Sequence, residues 1–238
     1  MLLSGQIPKR EVVKSPSILF LLLVGGSSAA SAQTLECERL KTTQIPFEVT
    51  GESVLHPGFV YKSQIYRDKS GPMTIYTAGF GRQRDGQLKR VPGISKNIVI
   101  GRFPIEQEPS GDLKVNFEYK DVNPETFDYE AKSHRFMSIA SDNKGSYKKF
   151  SDTTYQFLEK AYFDVGPCRF EILKSRSDAK QTSDDPKDTE SALLKSEMSY
   201  SLELRTNLER FAGVYIGQKS FEMREVVKEI KTDFAPFQ

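Results

Sequence analysis

The sequence predicts a mainly β protein of the β-rich α+β class, built as a curved antiparallel sheet or as an open half-barrel or sandwich, with one to three short helices. Apolar and polar residues alternate over much of the chain, which is the period of a strand with one buried face. Residues 113–119 (LKVNFEY) are the clearest example. Turn-forming residues separate the alternating segments at short intervals. We expect nine to eleven strands.

The elements of the first half follow from this pattern. Residues 35–43 favour a short helix after a capping threonine. Residues 59–67 and 73–80 alternate on either side of a Gly-Pro turn and predict a hairpin. Residues 97–105 and 127–140 read as further strands.

The second half is less uniform. Residues 168–173 and 198–205 alternate and predict strands. Residues 153–163 and 221–232 fit a helix and a strand about equally, because their apolar residues satisfy both spacings. The tract 174–191 has almost no apolar residue, so we expect a mobile polar insertion inside one domain that spans 33–238.

Residues 1–32 are typical of a cleaved secretory signal peptide. A basic start precedes a short apolar core at 18–24 and a run of small residues that predicts cleavage after Ala32. The apolar core is shorter than the ~20 residues that a membrane span needs. No longer apolar run follows, so we expect no transmembrane segment in the mature chain. The sequence therefore predicts a periplasmic or secreted protein.

The predicted leader also explains the overall charge. The chain has a formal charge of +2, but the leader holds three of its 34 basic residues and one of its 32 acidic residues. Residues 33–238 are therefore formally neutral, which speaks against nucleic acid as a partner. One local basic cluster remains within 82–96, a tract that we predict to be a long loop and a contact for an anionic surface. Its members are Arg82, Arg84, Lys89, Arg90 and Lys96.

The two cysteines, Cys37 and Cys168, both follow the predicted leader. An even pair in an oxidising compartment most simply forms one disulfide. Neither cysteine lies in a C-x-x-C motif or beside a histidine, so we predict a structural bond and no redox centre.

Catalytic and cofactor motifs are missing from the sequence. Its two histidines, His56 and His134, lie in a turn and in a basic stretch, and there is no G-x-S-x-G or H-E-x-x-H motif. The glycines at 79 and 81 lack the third glycine and the helix of a dinucleotide site. The prediction leans towards a non-enzyme without cofactor or metal, although paired carboxylates would be invisible in one sequence.

The aromatic residues concentrate on predicted strand faces, where they form either a plain core or an apolar cavity. The leader and the strand pattern together resemble small exported bacterial proteins built on a curved antiparallel sheet, some of which carry lipids or lipoproteins across the periplasm. This resemblance implies non-catalytic binding of a lipid or other hydrophobic molecule, or of a protein partner in the envelope. The alternatives are a carboxylate-based envelope hydrolase and an interaction module that uses an exposed sheet edge.

Overall fold

The computed structural model describes residues 36–42, 45–67, 71–109, 113–144, 148–185 and 190–237. The predicted leader and its cleavage site lie outside these residues. Within the described ranges the regular structure comprises thirteen strands, a helix α1 at residues 36–42 and a 3₁₀ turn at Pro124–Thr126. The strands are β1 (Phe47–Ser53), β2 (Phe59–Arg67), β3 (Met73–Arg82), β4 (Leu88–Arg90), β5 (Ser95–Ile100), β6 (Phe103–Glu108), β7 (Val115–Lys120), β8 (Ser133–Asp142), β9 (Lys148–Val165), β10 (Cys168–Ser183), β11 (Ala192–Ser201), β12 (Thr206–Ile216) and β13 (Lys219–Lys231).

Twelve of these strands form a closed antiparallel barrel. Each ring strand pairs with its neighbour in sequence, β3 pairs with β5, and β13 returns to β1 to close the ring. The short strand β4 pairs only with the end of β3. The mainly β, antiparallel prediction is confirmed, but the open half-barrel or sandwich is corrected to a closed barrel.

Closure of the barrel is relevant to the alternative function, in which an exposed sheet edge binds a partner. A closed ring leaves no unpaired edge strand. Among the described strands only the three-residue β4 lies at an edge. The alternative of a module that binds through a long free edge therefore has no structural basis here.

Several predicted elements are found in place. Helix α1 falls within the predicted 35–43, and β2 and β3 form the predicted hairpin. The predicted single strand at 97–105 is instead two strands, β5 and β6, because the chain reverses at Gly101, whose φ of 57° is readily adopted by glycine. The two ambiguous segments are both strands, within β9 and β13.

The polar tract at 174–191 requires a correction. Its first ten residues belong to β10, which pairs with β9 and β11, so they are not an irregular insertion. Ser175 and Ser177 are buried on the inner face while charged neighbours point outward. A strand that meets a polar interior needs no apolar residues, which is why composition misled the prediction. Residues 186–189 lie outside the described chain.

One end of the barrel, the closed end, is filled by apolar side chains. Helix α1 packs there through Leu40, and the bond between Cys37 and Cys168 joins it to β10 with a Cα–Cα distance of 5.4 Å. Arg67 donates hydrogen bonds to the backbone carbonyls of Leu40 and Glu203, so it ties α1 to the β11–β12 turn. The bond between Cys37 and Cys168 confirms the predicted disulfide.

A second cluster fills the same end from the β7–β8 loop. Phe127 packs against Phe103 and Tyr155, and Tyr129 stacks on Tyr200 at a centroid distance of 5.3 Å. Residues 127–132 are therefore an inward-folded loop, and the strand predicted at 127–140 begins only at Ser133. The opposite end, which we call the mouth, carries the β1–β2, β3–β5 and β12–β13 connections.

No helix in the described part of the chain has the length and apolar character that crossing a membrane would require.

Candidate functional site

A cavity of about 440 Å³ lies inside the barrel. Its walls are inward-facing side chains of β1, β2, β3, β5, β6, β11, β12 and β13, together with the turns at the closed end. The volume falls in the range of small-molecule sites, roughly 300–1,000 Å³. Hydroxyl and amide groups supply much of the lining, among them Ser63, Thr77, Asn97, Gln107 and Asn207.

The charged lining of this cavity is predominantly cationic. It consists of Arg102, Arg205, Arg210 and a single carboxylate, Glu225. Arg210 and Glu225 are direct neighbours on β12 and β13, and Arg210 Nη2 donates to Glu225 Oε2 at 2.9 Å. This carboxylate is therefore already matched by Arg210, and Arg102 and Arg205 leave the described lining with more positive than negative charge.

Arg102 is held by neutral groups. Its guanidinium donates to the hydroxyls of Ser175 and Ser177 at 3.2 and 3.1 Å and lies 4.6 Å from the centre of the Tyr155 ring. Burial lowers the pKa of Arg102, and Tyr155 and Tyr129 oppose that shift. Arginine keeps its charge in proteins, so a positive charge stands in the wall without a carboxylate among the partners described for it.

Arg205 occupies the tight turn between β11 and β12. It has a φ of 56°, and its guanidinium donates to the carbonyl of Gly71 at 3.3 Å. That bond places Arg205 at the inner end of the cavity.

Two tyrosines border the cavity and retain their protons. Burial raises the pKa of Tyr61, and Glu225 adds to that rise while Arg210 opposes it. Burial also raises the pKa of Tyr200, with a further contribution from Tyr129. Both phenols therefore stay neutral at physiological pH and can donate or accept hydrogen bonds.

Solvent reaches the cavity from the mouth. At the closed end Phe47, Ile65 and Phe170 are completely buried. The Arg210 side chain, which points into the same barrel nearer the mouth, retains 41% of its exposure. A small molecule would accordingly enter through the mouth and meet the arginines on its way inward.

The predicted basic cluster lies apart from this cavity. Residues 82–90 are all exposed in the β3–β5 connection, where Arg82 pairs with Glu52 at 3.2 Å and Arg90 lies over the Phe237 ring. The structure separates Lys96 from the others, because Lys96 pairs with Glu108 at 3.1 Å on the neighbouring strand. Arg82, Arg84, Lys89 and Arg90 thus share the mouth, and Lys96 does not belong with them.

The remaining candidates make local contacts. His56 hydrogen-bonds the carbonyl of Glu222, and His134 that of Asp128. In the described residues no group of three or more His, Cys, Asp or Glu side chains is placed to hold a metal ion.

A carboxylate pair does occur, at Glu106 and Glu108 on β6. The hydrogen bond from Lys114 lowers the pKa of Glu106, with Lys96 contributing in the same direction. A general acid requires the opposite shift, a raised pKa. This pair therefore gives no support to the hydrolase alternative.

The arginines of the cavity are not among the residues predicted from the sequence. A usable signal was present: Arg210 alternates in register with Leu208 and Ala212, so it occupies an inward position of its strand. A charged residue on the apolar face of an alternating strand indicates that the interior of the barrel contains solvent. Arg102 and Arg205 lie in turns, where alternation carries no such information.

Comparisons with known proteins find only remote similarities. No protein-family model and no curated protein matches the chain. Among solved structures, a candidate lipoprotein from Parabacteroides distasonis ATCC 8503 is 14% identical with a TM-score of 0.43, over 79% of this chain and 96% of that one. A candidate exported protein with a YmcC-like fold from Bacteroides fragilis NCTC 9343 is 10% identical with a TM-score of 0.40, over 78% and 95%. The hypothetical lipoprotein YmcC from Escherichia coli K12 is 6% identical with a TM-score of 0.40, over 88% and 95%. At these values the function has to be argued from the residues of this chain.

Proposed function

We propose that this protein is an exported, non-catalytic binding protein of the bacterial envelope that takes a small, polar, anionic molecule into its barrel. Two features support export to the periplasm or beyond: the leader-like residues 1–32 and the disulfide, which persists in oxidising compartments.

The expected class of ligand rests on one observation, the composition of the cavity wall. Three arginines face one carboxylate, and that carboxylate is engaged by Arg210. Guanidinium groups recognise carboxylate and phosphate oxygens through paired hydrogen bonds. The surrounding hydroxyl and amide groups suit a ligand that also carries hydroxyls. We therefore expect a small molecule with a carboxylate or phosphate group.

The same wall argues against a hydrophobic occupant. An apolar ligand would leave the arginines and amides of the cavity without solvent, at a cost of several kcal/mol for each unpaired charge. Of the aromatic residues behind the expectation of an apolar cavity, Phe127, Tyr129 and Phe170 pack at the closed end instead.

The test compares matched ligands. Calorimetric titrations of the purified, disulfide-bonded protein would use glucose 6-phosphate, glucose and a fluorescent fatty acid as probes. We expect binding of the phosphorylated sugar, weakened at least about tenfold in Arg102→Met, because one charged hydrogen bond contributes about 1.5–3 kcal/mol. Arg135→Met, which alters an arginine on the outer wall, serves as the control and should bind normally. Tight binding of the fatty acid that is insensitive to Arg102→Met would overturn the proposal.

A further inference from the structure

The mouth of the barrel carries an unusual concentration of exposed apolar side chains. We define the mouth patch as Val54, Leu55, Phe59, Leu88, Val91 and Phe221, which retain between 36% and 60% of their exposure. These residues come from three separate connections: the β1–β2 loop, the β3–β5 connection and the start of β13. More than half of the large exposed hydrophobic residues in the described chain thus fall on one end of the barrel.

Contacts between the connections make the patch continuous. The ring of His56 stacks on Phe221 at 6.2 Å, and the Phe59 amide donates to the His56 carbonyl. The ring of Phe59 and the side chain of Val91 both lie over Gly79, which leaves no room for a side chain beneath the phenylalanine. Phe221 and Val91 are therefore connected through His56 and Phe59 across the rim.

Cations surround this apolar surface. Arg84, Lys89 and Arg90 are exposed beside Leu88 and Val91, and Lys219 is exposed two residues before Phe221. The carboxylates within the same connections are Asp85 and Glu222, and Glu222 accepts a hydrogen bond from Tyr215. The patch is consequently apolar at its centre and positive at its edge.

The other side of the mouth carries both signs of charge, since Lys144, Lys148 and Lys149 of the β8–β9 connection lie beside the β10–β11 connection. The β10–β11 connection contributes Asp184, Asp185 and Glu190 in the described residues. The apolar side chains, by contrast, are concentrated on the β1–β4 side, so we expect contact with a surface there.

We propose that the mouth patch docks on an anionic phospholipid surface, with the barrel opening turned towards the lipid headgroups. Apolar side chains surrounded by Lys and Arg are the composition of an interfacial membrane contact, in which the apolar groups enter the headgroup layer and the cations meet anionic lipids. Each such cation strengthens binding to a charged leaflet about fivefold, and salt weakens the attraction.

A phospholipid surface accounts for the patch better than a protein partner does. Its apolar members stand on three connections around an opening, and the cations lie at the outer edge where headgroups would be. Docking in this position does not rest on the proposed ligand, because the patch lies outside the cavity wall.

The experiment is a vesicle flotation assay with the purified, disulfide-bonded protein. Vesicles contain either equal parts of phosphatidylglycerol and phosphatidylcholine or phosphatidylcholine alone. We expect flotation with the anionic vesicles only, and loss of it as NaCl rises from about 50 to 500 mM. No flotation with anionic vesicles at low salt, or equal flotation with both vesicle types, would overturn the proposal.

Two pairs of variants locate the contact. Leu55→Ser with Phe221→Ser removes apolar groups, and Arg84→Ala with Lys89→Ala removes charge; each double variant should weaken vesicle binding about tenfold or more. The controls alter exposed residues away from the mouth: Leu158→Ser with Tyr162→Ser, and Lys120→Ala with Lys132→Ala. Circular dichroism verifies that every variant is folded. Equal losses in mouth variants and controls would show that no specific surface is used and would refute the assignment.

Discussion

Gly51 lies directly opposite Tyr61 in the β1–β2 pairing, and the tyrosine ring occupies the space that a side chain at position 51 would take. A Cβ built on Gly51 would approach Tyr61 Cζ to 2.2 Å. The glycine thus allows a large phenol to lie flat along the inner wall, beside Arg210 and Glu225, where it borders the cavity.

Gly51→Ala should destabilise the protein and displace Tyr61. Forcing a methyl group into an occupied position costs about 1–3 kcal/mol. Urea unfolding followed by circular dichroism would measure the change in the free energy of unfolding. Gly81→Ala is the matched control on β3, since a Cβ there would meet only the flexible side chain of Gln83, at 4.0 Å. Equal stability of Gly51→Ala and wild type would contradict the packing described.

Reduction of the disulfide should loosen the closed end. The bond spans 131 residues of sequence, and a loop of that size is worth roughly 4–5 kcal/mol in the chain-entropy account. We expect Cys37→Ser with Cys168→Ser to lower the unfolding free energy by up to that amount. Reduced wild type should match the double variant, and a reduced protein as stable as the oxidised one would argue against this role.

The strands could be predicted because a barrel wall has one inner and one outer face, so alternation marks it wherever the interior is apolar. Val115, Phe117 and Tyr119 show this in β7. The signal fails where the interior is polar, as at Ser175 and Ser177 of β10, and where an apolar run hides a turn, as at Gly101. It also fails at Phe127 and Tyr129, whose alternation comes from a loop that folds inward.

Closure of the barrel could not be predicted from such local patterns. It depends on pairing between β1 and β13, whose residues Glu48 and Lys231 lie far apart in sequence. The cavity site could not be predicted for the same reason. Arg102, Arg205 and Arg210 become a cluster only through ring closure, whereas Arg82, Arg84, Lys89 and Arg90 are close in sequence and were visible as a group.

Gln64 should prove important for holding the C-terminal residues on the outer wall. It is 1% exposed although it points outward, because its amide donates to the Ala235 carbonyl at 2.8 Å and to Glu48, and accepts from the Phe237 amide at 3.1 Å. Gln64→Met keeps the size and loses these bonds. We expect a loss of about 1–3 kcal/mol and faster hydrogen exchange at 234–237. Gln156→Met, on the exposed face of β9, is the control; unchanged exchange at 234–237 in Gln64→Met would count against the arrangement.

Acid should remove the contribution of Glu106. Its pKa is lowered first by the hydrogen bond from Lys114, and Lys96 adds to the effect. A carboxyl whose folded-state pKa lies below its unfolded value stabilises the protein above that unfolded value, near 4.5, and this stability is lost as the pH falls through the folded pKa. We therefore expect Glu106→Gln to lower the Tm at pH 7, with the difference from wild type shrinking as the pH drops below 4.5. Glu118→Gln, an exposed carboxylate on neighbouring β7, is the matched control. A Tm difference that persists unchanged at pH 2 would mean that Glu106 acts through packing rather than through its charge.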